Sequence, residues 1–311
     1  MKLVFCGTPR FAVPTLEALI AAGHDIALVV SQPDRPVGRA QQLTAPPVKE
    51  TALAAGLKVT QPEKIKNNAE FRERLEAIAP DAIVVVAYGR IIPAWMLALP
   101  RLGCINLHAS LLPKYRGAAP IQWAVAMGEA VTGNTTMLLE EGLDTGPILL
   151  QREIQISPEQ TAADLFEVLA RDGAPLVVET LVGLDAGTIK PKVQDHSRAT
   201  LAPILDREDG RMDFAARTAA ELWNRWRGFQ PWPGAYTTLE GKKLIAHQLR
   251  VAAKKAEGDP GMVDLTDQHL QVACAQNTWI EIVELQLEGK KRMAASEFLR
   301  GAGLHFGIRL G

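Results

Sequence analysis

Lys2-Leu-Val-Phe-Cys-Gly-Thr-Pro-Arg-Phe11-Ala-Val-Pro-Thr-Leu16-Glu-Ala-Leu19-Ile20-Ala-Ala22-Gly-His-Asp-Ile26-Ala-Leu-Val-Val-Ser31 reads as strand, helix, strand. Its two ends are short apolar and β-branched runs, and between them the apolar residues at 16, 19 and 20 fall on one helical face. This is a βαβ unit. Helices are expected over 48–55 and 68–78, followed by Ala82-Ile-Val-Val-Val-Ala87, apolar throughout as a parallel strand covered on both faces must be. A strand over 103–107 is next, then a helix opening near Ala119-Pro120, where proline suits the first turn. Strands over 132–139 and 148–156 flank a glycine-bracketed loop, and a helix over 162–184 ends the series. The expected class is α/β, a doubly wound, mostly parallel sheet.

Residues 187–206 carry prolines at 191 and 203, mixed charge and no sustained period, which marks a linker. Beyond it a helix is expected over 215–227, then short strands over 234–239, 243–251, 261–265, 269–274 and 279–285, as in a small OB-like β-barrel. The domains expected are 1–189, a linker over 190–206, and a smaller OB-like domain over 207–311.

Composition narrows the function. With 47% hydrophobic and 22% charged residues the chain is ordinary for a globular enzyme, and no apolar run approaches the roughly 18 residues of a membrane span. The opening residues read as a core strand rather than a leader, because apolar character stops at Cys6. A net charge of −1 lacks the basic excess of a nucleic-acid binder, although lysines cluster locally at Lys242-Lys243. Cysteines at 6, 104 and 274 form neither an even disulfide set nor a CxxC pair. Three free thiols, a cytoplasmic setting, no metal, no membrane and a monomer are expected.

The chemistry gathers in Cys104-Ile-Asn106-Leu-His108-Ala-Ser110-Leu-Leu-Pro113 and in Gly142-Leu-Asp144-Thr-Gly146. Strand alternation puts Cys104, Asn106 and His108 on one face, at the carboxyl end where open α/β sheets bind ligands. The first turn, Cys6-Gly-Thr-Pro-Arg-Phe, is not GxGxxG, and neither a Walker loop nor HExxH occurs. Ser110 lacks the glycine-bracketed elbow of a hydrolase nucleophile, and Cys104 reads better as a buried thiol than as a nucleophile. Direct acyl transfer to an amine remains: an Asn donor for the oxyanion, a His that titrates near neutrality, and an Asp to stabilise the charged imidazole.

Asn106-Leu-His-Ala-Ser-Leu-Leu-Pro113, Tyr115-Arg-Gly-Ala-Ala-Pro-Ile-Gln122 and Gly142-Leu-Asp-Thr-Gly146, with Gly7-Thr-Pro9, resemble the motifs of the folate-dependent formyltransferases. Gln32-Pro-Asp-Arg-Pro-Val-Gly-Arg39, Glu208-Asp-Gly-Arg211 and Phe229-Gln-Pro-Trp-Pro-Gly-Ala-Tyr236 extend the resemblance to the tRNA-directed members of that superfamily. The resemblance implies transfer of a formyl group from 10-formyltetrahydrofolate to the α-amino group of methionine on initiator tRNA, with Asn106, His108 and Asp144 catalytic. It implies folate contacts at Tyr88, Gly89, Ile91, Ser110, Leu111, Leu112, Pro113 and Gly142, where core packing at 88 and 91 and turn shaping at 110 and 113 stay open. It implies tRNA contacts at Arg39, and Lys49, Lys242 and Lys243 are read with it. Ala40-Gln41-Gln42 departs from the family's glycine and lysines, so fewer phosphate contacts are expected there. Phe229 and Trp232, beside prolines, read as wedges at a domain interface rather than as base-stacking platforms. Transfer to a nucleotide amino sugar is the alternative; a purine-pathway formyltransferase leaves the last hundred residues unexplained.

Overall fold

The computed structural model describes residues 1–38, 41–254, 257–265, 269–301 and 308–311. The chain divides into two compact units, one of residues 1–120, 131–155 and 165–203, the other of residues 121–130, 156–164 and 204–311.

The first unit begins with β1 (Lys2–Gly7), α1 (Val13–Ala21) and β2 (Asp25–Val30). The helix follows a 3-10 turn at Arg10–Ala12 and takes Pro14 in its first turn. The hairpin β3 (Arg35–Val37) and β4 (Gln42–Thr44) follows, then α2 (Pro47–Ala54), β5 (Val59–Thr60), α3 (Ala69–Ile78), β6 (Ala82–Val86), α4 (Ala94–Leu97) and β7 (Cys104–His108). After α5 (Pro120–Ala126), which from Ile121 belongs to the second unit, come β8 (Val131–Leu138), β9 (Ile148–Gln155) and α6 (Ala162–Asp185), of which residues 165–185 belong to the first.

Seven strands form one sheet in the order β5-β2-β1-β6-β7-β8-β9. Pairings from β5 to β7 are parallel, and β8 and β9 add antiparallel strands. The order reverses between β1 and β6, which opens a crevice at their carboxyl ends. Every residue of β6 and β7 is buried, which accounts for the unbroken apolar run at 82–86. At the rim of this crevice Gly7 admits no side chain: a Cβ would lie 2.7 Å from Phe5 Cε1 and 3.2 Å from the Val86 carbonyl oxygen. The hairpin β3–β4 left no trace in the pattern, because the residues of β4 are all exposed and bury no face.

In the second unit α7 (Ala219–Gly228) precedes β10 (Ala235–Leu239), β11 (Lys242–Val251), β12 (Val263–Asp264), β13 (Leu270–Cys274), β14 (Thr278–Leu287), β15 (Met293–Ala294) and α8 (Ala295–Gly301). The helix begins at 219 rather than 215 because Thr218 and Glu221 form a reciprocal capping box there. The antiparallel sheet runs β10-β11-β14-β13-β12, with β15 on β14. Leu310 bridges Leu239 of β10, and Arg309 bridges Met262 beside β12, so the last residues join the two edges as a barrel requires. Leu222, Leu244, Leu249, Val272, Ile280 and Ile282 fill its core.

Candidate active site

On β7, Asn106 stands opposite Val85 on one side and Met137 on the other, and His108 stands opposite Thr135. The two side chains share a face, with Cα atoms about 7 Å apart along the strand. Asn106 is 9% exposed and, among the described residues, no hydrogen bond reaches its side-chain amide. That amide is held in place by strand and packing alone.

The imidazole of His108 is buried, and its Nε2 lies 2.8 Å from the Tyr115 carbonyl oxygen. A carbonyl only accepts, so Nε2 carries a proton and Nδ1 is the nitrogen left without a hydrogen bond among the described residues. Nδ1 faces Asp144, 3.7 Å from Oδ2, within ionic range and beyond hydrogen-bond length. The same Oδ2 accepts from the Gly117 N–H at 2.8 Å. Oδ1 has no partner among the described residues. Asp144 itself sits at φ +50°, a left-handed conformation worth about 1 kcal/mol of strain for a residue of this kind. Neighbouring Gly146 is required, because a Cβ there would run into the Leu138 carbonyl oxygen.

Residues 110–114, after β7, are tied down from β8 and β9. The Thr135 hydroxyl donates to the Ser110 carbonyl at 2.6 Å and accepts from the Leu112 N–H at 3.2 Å, and Gln151 Nε2 donates to the Leu112 carbonyl at 2.9 Å. The Leu112–Pro113 peptide is cis. Ser110 is fully buried and its hydroxyl donates to the Lys114 carbonyl at 2.6 Å, so it shapes the turn and is no nucleophile. Leu112 is buried, Leu111 and Pro113 are half-buried, and Gly142 is exposed.

Beyond β6 the chain alternates: Ala87, Gly89 and Ile91 are exposed, Tyr88 and Ile92 buried. Tyr88 therefore offers a ligand no ring, which packs with Val4, Ile83 and Cys104 in the core. Its carbonyl accepts from Thr8 Oγ1 at 3.1 Å and Gln32 Nε2 at 3.2 Å, which pins this loop to the carboxyl ends of β1 and β2. Burial pushes the Cys104 thiol up to about 12 and raises Cys6 well above its ordinary value, so neither is a thiolate near neutrality. All three cysteines are free and buried.

The residues read as tRNA contacts come from separate elements. Arg39 lies outside the described residues, as does Ala40. Lys49, on α2, places its ammonium 2.8 Å from both Asp34 carboxylate oxygens. That contact, followed by the Gln61 hydrogen bond, holds the Asp34 carboxyl below its usual range. Lys242 and Lys243 open β11 in the second unit, with Lys243 Nζ 3.9 Å from the centre of the Tyr236 ring. Phe229 is fully buried, edge-on to Trp123 with ring centres 5.4 Å apart. Trp232 is 55% exposed, which a packing wedge would not be; its neighbouring prolines hold it in a turn without covering it.

Sequence reasoning missed Tyr115 and Gly117, whose backbone groups fix His108 and Asp144, and Gln194, whose amide bonds the Asp144 turn. Tyr115 and Gly117 fell within a motif already singled out; Gln194 had no local signal. Among the described residues no group of three His, Cys, Asp or Glu could hold a metal, and no helix is long and apolar enough to cross a membrane.

Residues 1–181 match the family model described as formyl transferase, and residues 204–303 match the formyl transferase C-terminal domain. The chain is 68% identical over all 311 residues, and the full length of both proteins, to methionyl-tRNA formyltransferase of Acidobacterium capsulatum. It is 60% identical to the protein of the same name from Koribacter versatilis, over 97% of this chain and 96% of that one. The fold is also that of WlaRD, a sugar 3N-formyl transferase crystallised in the presence of dTDP and 5-N-formyl-THF, with a TM-score of 0.65 at 18% identity over 94% of this chain and 99% of that one.

Proposed function

The chain belongs to the methionyl-tRNA formyltransferase family, and we propose that it moves the formyl group of 10-formyltetrahydrofolate to the α-amino nitrogen of methionine on initiator tRNA at Asn106, His108 and Asp144. One observation carries this reading: the Asn106 amide, His108 Nδ1 and Asp144 Oδ1 are all without a hydrogen bond among the described residues, at the end of one strand and the loop facing it. Three uncommitted polar groups on a closely bonded scaffold form a prepared site rather than a satisfied core.

The residues divide the work by their chemistry. The incoming ammonium first gives a proton to Asp144, and the freed lone pair forms the new bond to the formyl carbon. As the carbonyl pair moves onto oxygen, the Asn106 N–H and the protonated Nδ1 of His108 donate to it; one such donor is typically worth about 2.7–4 kcal/mol. When the bond between carbon and the donor nitrogen breaks, the pair stays on that nitrogen, which takes the Nδ1 proton of His108, and the second proton released by the attacking nitrogen restores it. Of the three ammonium hydrogens one remains on the product amide, one is accounted for on the donor nitrogen and one leaves to solvent.

The folate is a co-substrate here, and the residues fit it. Gly89, Ile91 and Gly142 are exposed beside the site, and residues 110–113 offer backbone held rigid by Thr135 and Gln151. Tyr88 supplies backbone only. For the tRNA we propose Arg39, Lys242 and Lys243, since the Lys49 charge is taken up by Asp34. The three reduced thiols suit a cytoplasmic enzyme.

The test is an acceptor comparison, with 10-formyltetrahydrofolate offered to methionine-charged initiator tRNA, to an amino-sugar nucleotide and to free methionine. Selective formylation of the tRNA is expected. Formylated sugar would keep the catalytic residues and reject the acceptor.

A further inference from the structure

The segment after α6 bears on the active site through one buried amide. Gln194 is 3% exposed, and its Nε2 donates to the Gly146 carbonyl at 2.7 Å and to the Asp144 carbonyl at 2.9 Å. Its Oε1 accepts from Arg116 Nη2 at 2.6 Å and Nε at 3.2 Å. Both donors and both acceptor positions of the amide are thus used, a demand that neither a carboxylate nor an apolar side chain of that size meets. Arg116 is 7% exposed and donates further to His196 Nδ1 at 3.1 Å.

Arg116 lies between the two residues that hold the catalytic pair, Tyr115 at His108 Nε2 and Gly117 at Asp144 Oδ2. The bonds close a ring: from the Gln194 amide to the Asp144 carbonyl, through that residue to its carboxylate, to the Gly117 N–H, back along the chain to Arg116, and to Gln194 again. The ring encloses the left-handed turn at Asp144, a conformation that persists only where its surroundings impose it. The segment 115–119 is anchored independently of the ring by residues 200–202, with the Tyr115 N–H 2.8 Å from Thr200 Oγ1 and the Ala202 N–H 2.7 Å from the Arg116 carbonyl.

From this arrangement we propose that Gln194, held by Arg116, is a positioning residue that sets the placement of the Asp144 carboxylate relative to His108 Nδ1, and so tunes turnover without touching substrate. The proposal rests on the reading of Asn106, His108 and Asp144 as the catalytic set. A residue of this kind acts on the chemical step: small misplacement of a reacting group lowers rate by as much as about 100-fold with little change in binding.

The experiment measures kcat and both KM values for Gln194→Met, which matches the shape and lacks the polar groups, beside thermal melting and tetrahydrofolate binding. A fall in kcat of roughly 10- to 100-fold, with both KM values within about threefold and folate binding retained, is expected. Turnover within about twofold of the parent, or a raised KM with kcat preserved, would overturn it. If Gln194→Met does not fold, Gln194→Glu, which keeps the volume and the Arg116 bonds but loses the two N–H donors, is judged by the same criteria. Failure of the underlying reading is separate: it would appear as absence of formyl transfer in the parent enzyme, or as full turnover in Asn106→Ala.

Discussion

His108 and Asp144 face each other across 3.7 Å without a hydrogen bond, each held by a backbone group of one tripeptide, Tyr115 to Gly117. The spacing leaves Nδ1 and Oδ1 to a third party. A structural ion pair would close to about 2.8 Å and spend both groups on each other.

Asn106→Ala should leave folding nearly untouched, since the amide bonds nothing among the described residues, and should lower kcat by about 100- to 1,000-fold. Steady-state kinetics beside a thermal melt checks both halves. A large loss of stability with normal turnover would return Asn106 to the core.

Asp144→Gly removes the carboxylate and relieves the left-handed backbone together. Turnover should collapse while stability changes little, the gain of about 1 kcal/mol at φ +50° being offset by loss of the Gly117 hydrogen bond. Parallel loss of folding and turnover would mean that Asp144 is structural.

Ser110→Ala and Cys104→Ala should both keep turnover within about threefold of the parent. The serine costs about 1 kcal/mol of stability through its lost bond to Lys114, measured by denaturant unfolding. Cys104, its thiol pushed up to about 12, stays protonated at neutral pH, so alkylating reagents at pH 8 should leave the native enzyme active. Rapid inactivation would reopen covalent catalysis.

Lysines 49 and 243 should separate by salt and by pH. Replacing both Lys242 and Lys243 with alanine should flatten the salt dependence of tRNA affinity, by up to about one unit of log–log slope for each phosphate no longer neutralised. Lys49→Ala should not change that slope. Asp34 is held below its usual range by Lys49, so this pair's stabilisation is present above the ordinary carboxylate range and lost as pH falls through the depressed value. Lys49→Ala should accordingly weaken stability at pH 7 and make it less sensitive to acid, which unfolding curves at pH 7 and pH 3 would show.

Much of the first unit was legible because its central strands β6 and β7 are buried on both faces and its helices carry one apolar stripe. The hairpin at 35–44 was not, since three-residue strands with an exposed face leave no period. Asn106 and His108 were legible through strand alternation, and Asp144 as a carboxylate in a glycine-bracketed loop. Their supports were not: Tyr115 and Gly117 act through backbone atoms that no side chain advertises, and Gln194 meets Asp144 fifty positions away, in a segment whose prolines suggested only a connection. At Tyr88 the pattern left a folate contact and core packing both open, because a tyrosine just past a buried strand suits either; the ring fills the core.

The most direct test is single-turnover formyl transfer from saturating 10-formyltetrahydrofolate to methionine-charged initiator tRNA, comparing the parent with His108→Ala. Rapid formation of formylmethionyl-tRNA is expected of the parent, and a rate at least about 100-fold lower of the variant, with tetrahydrofolate binding intact. Equal single-turnover rates would contradict a catalytic His108.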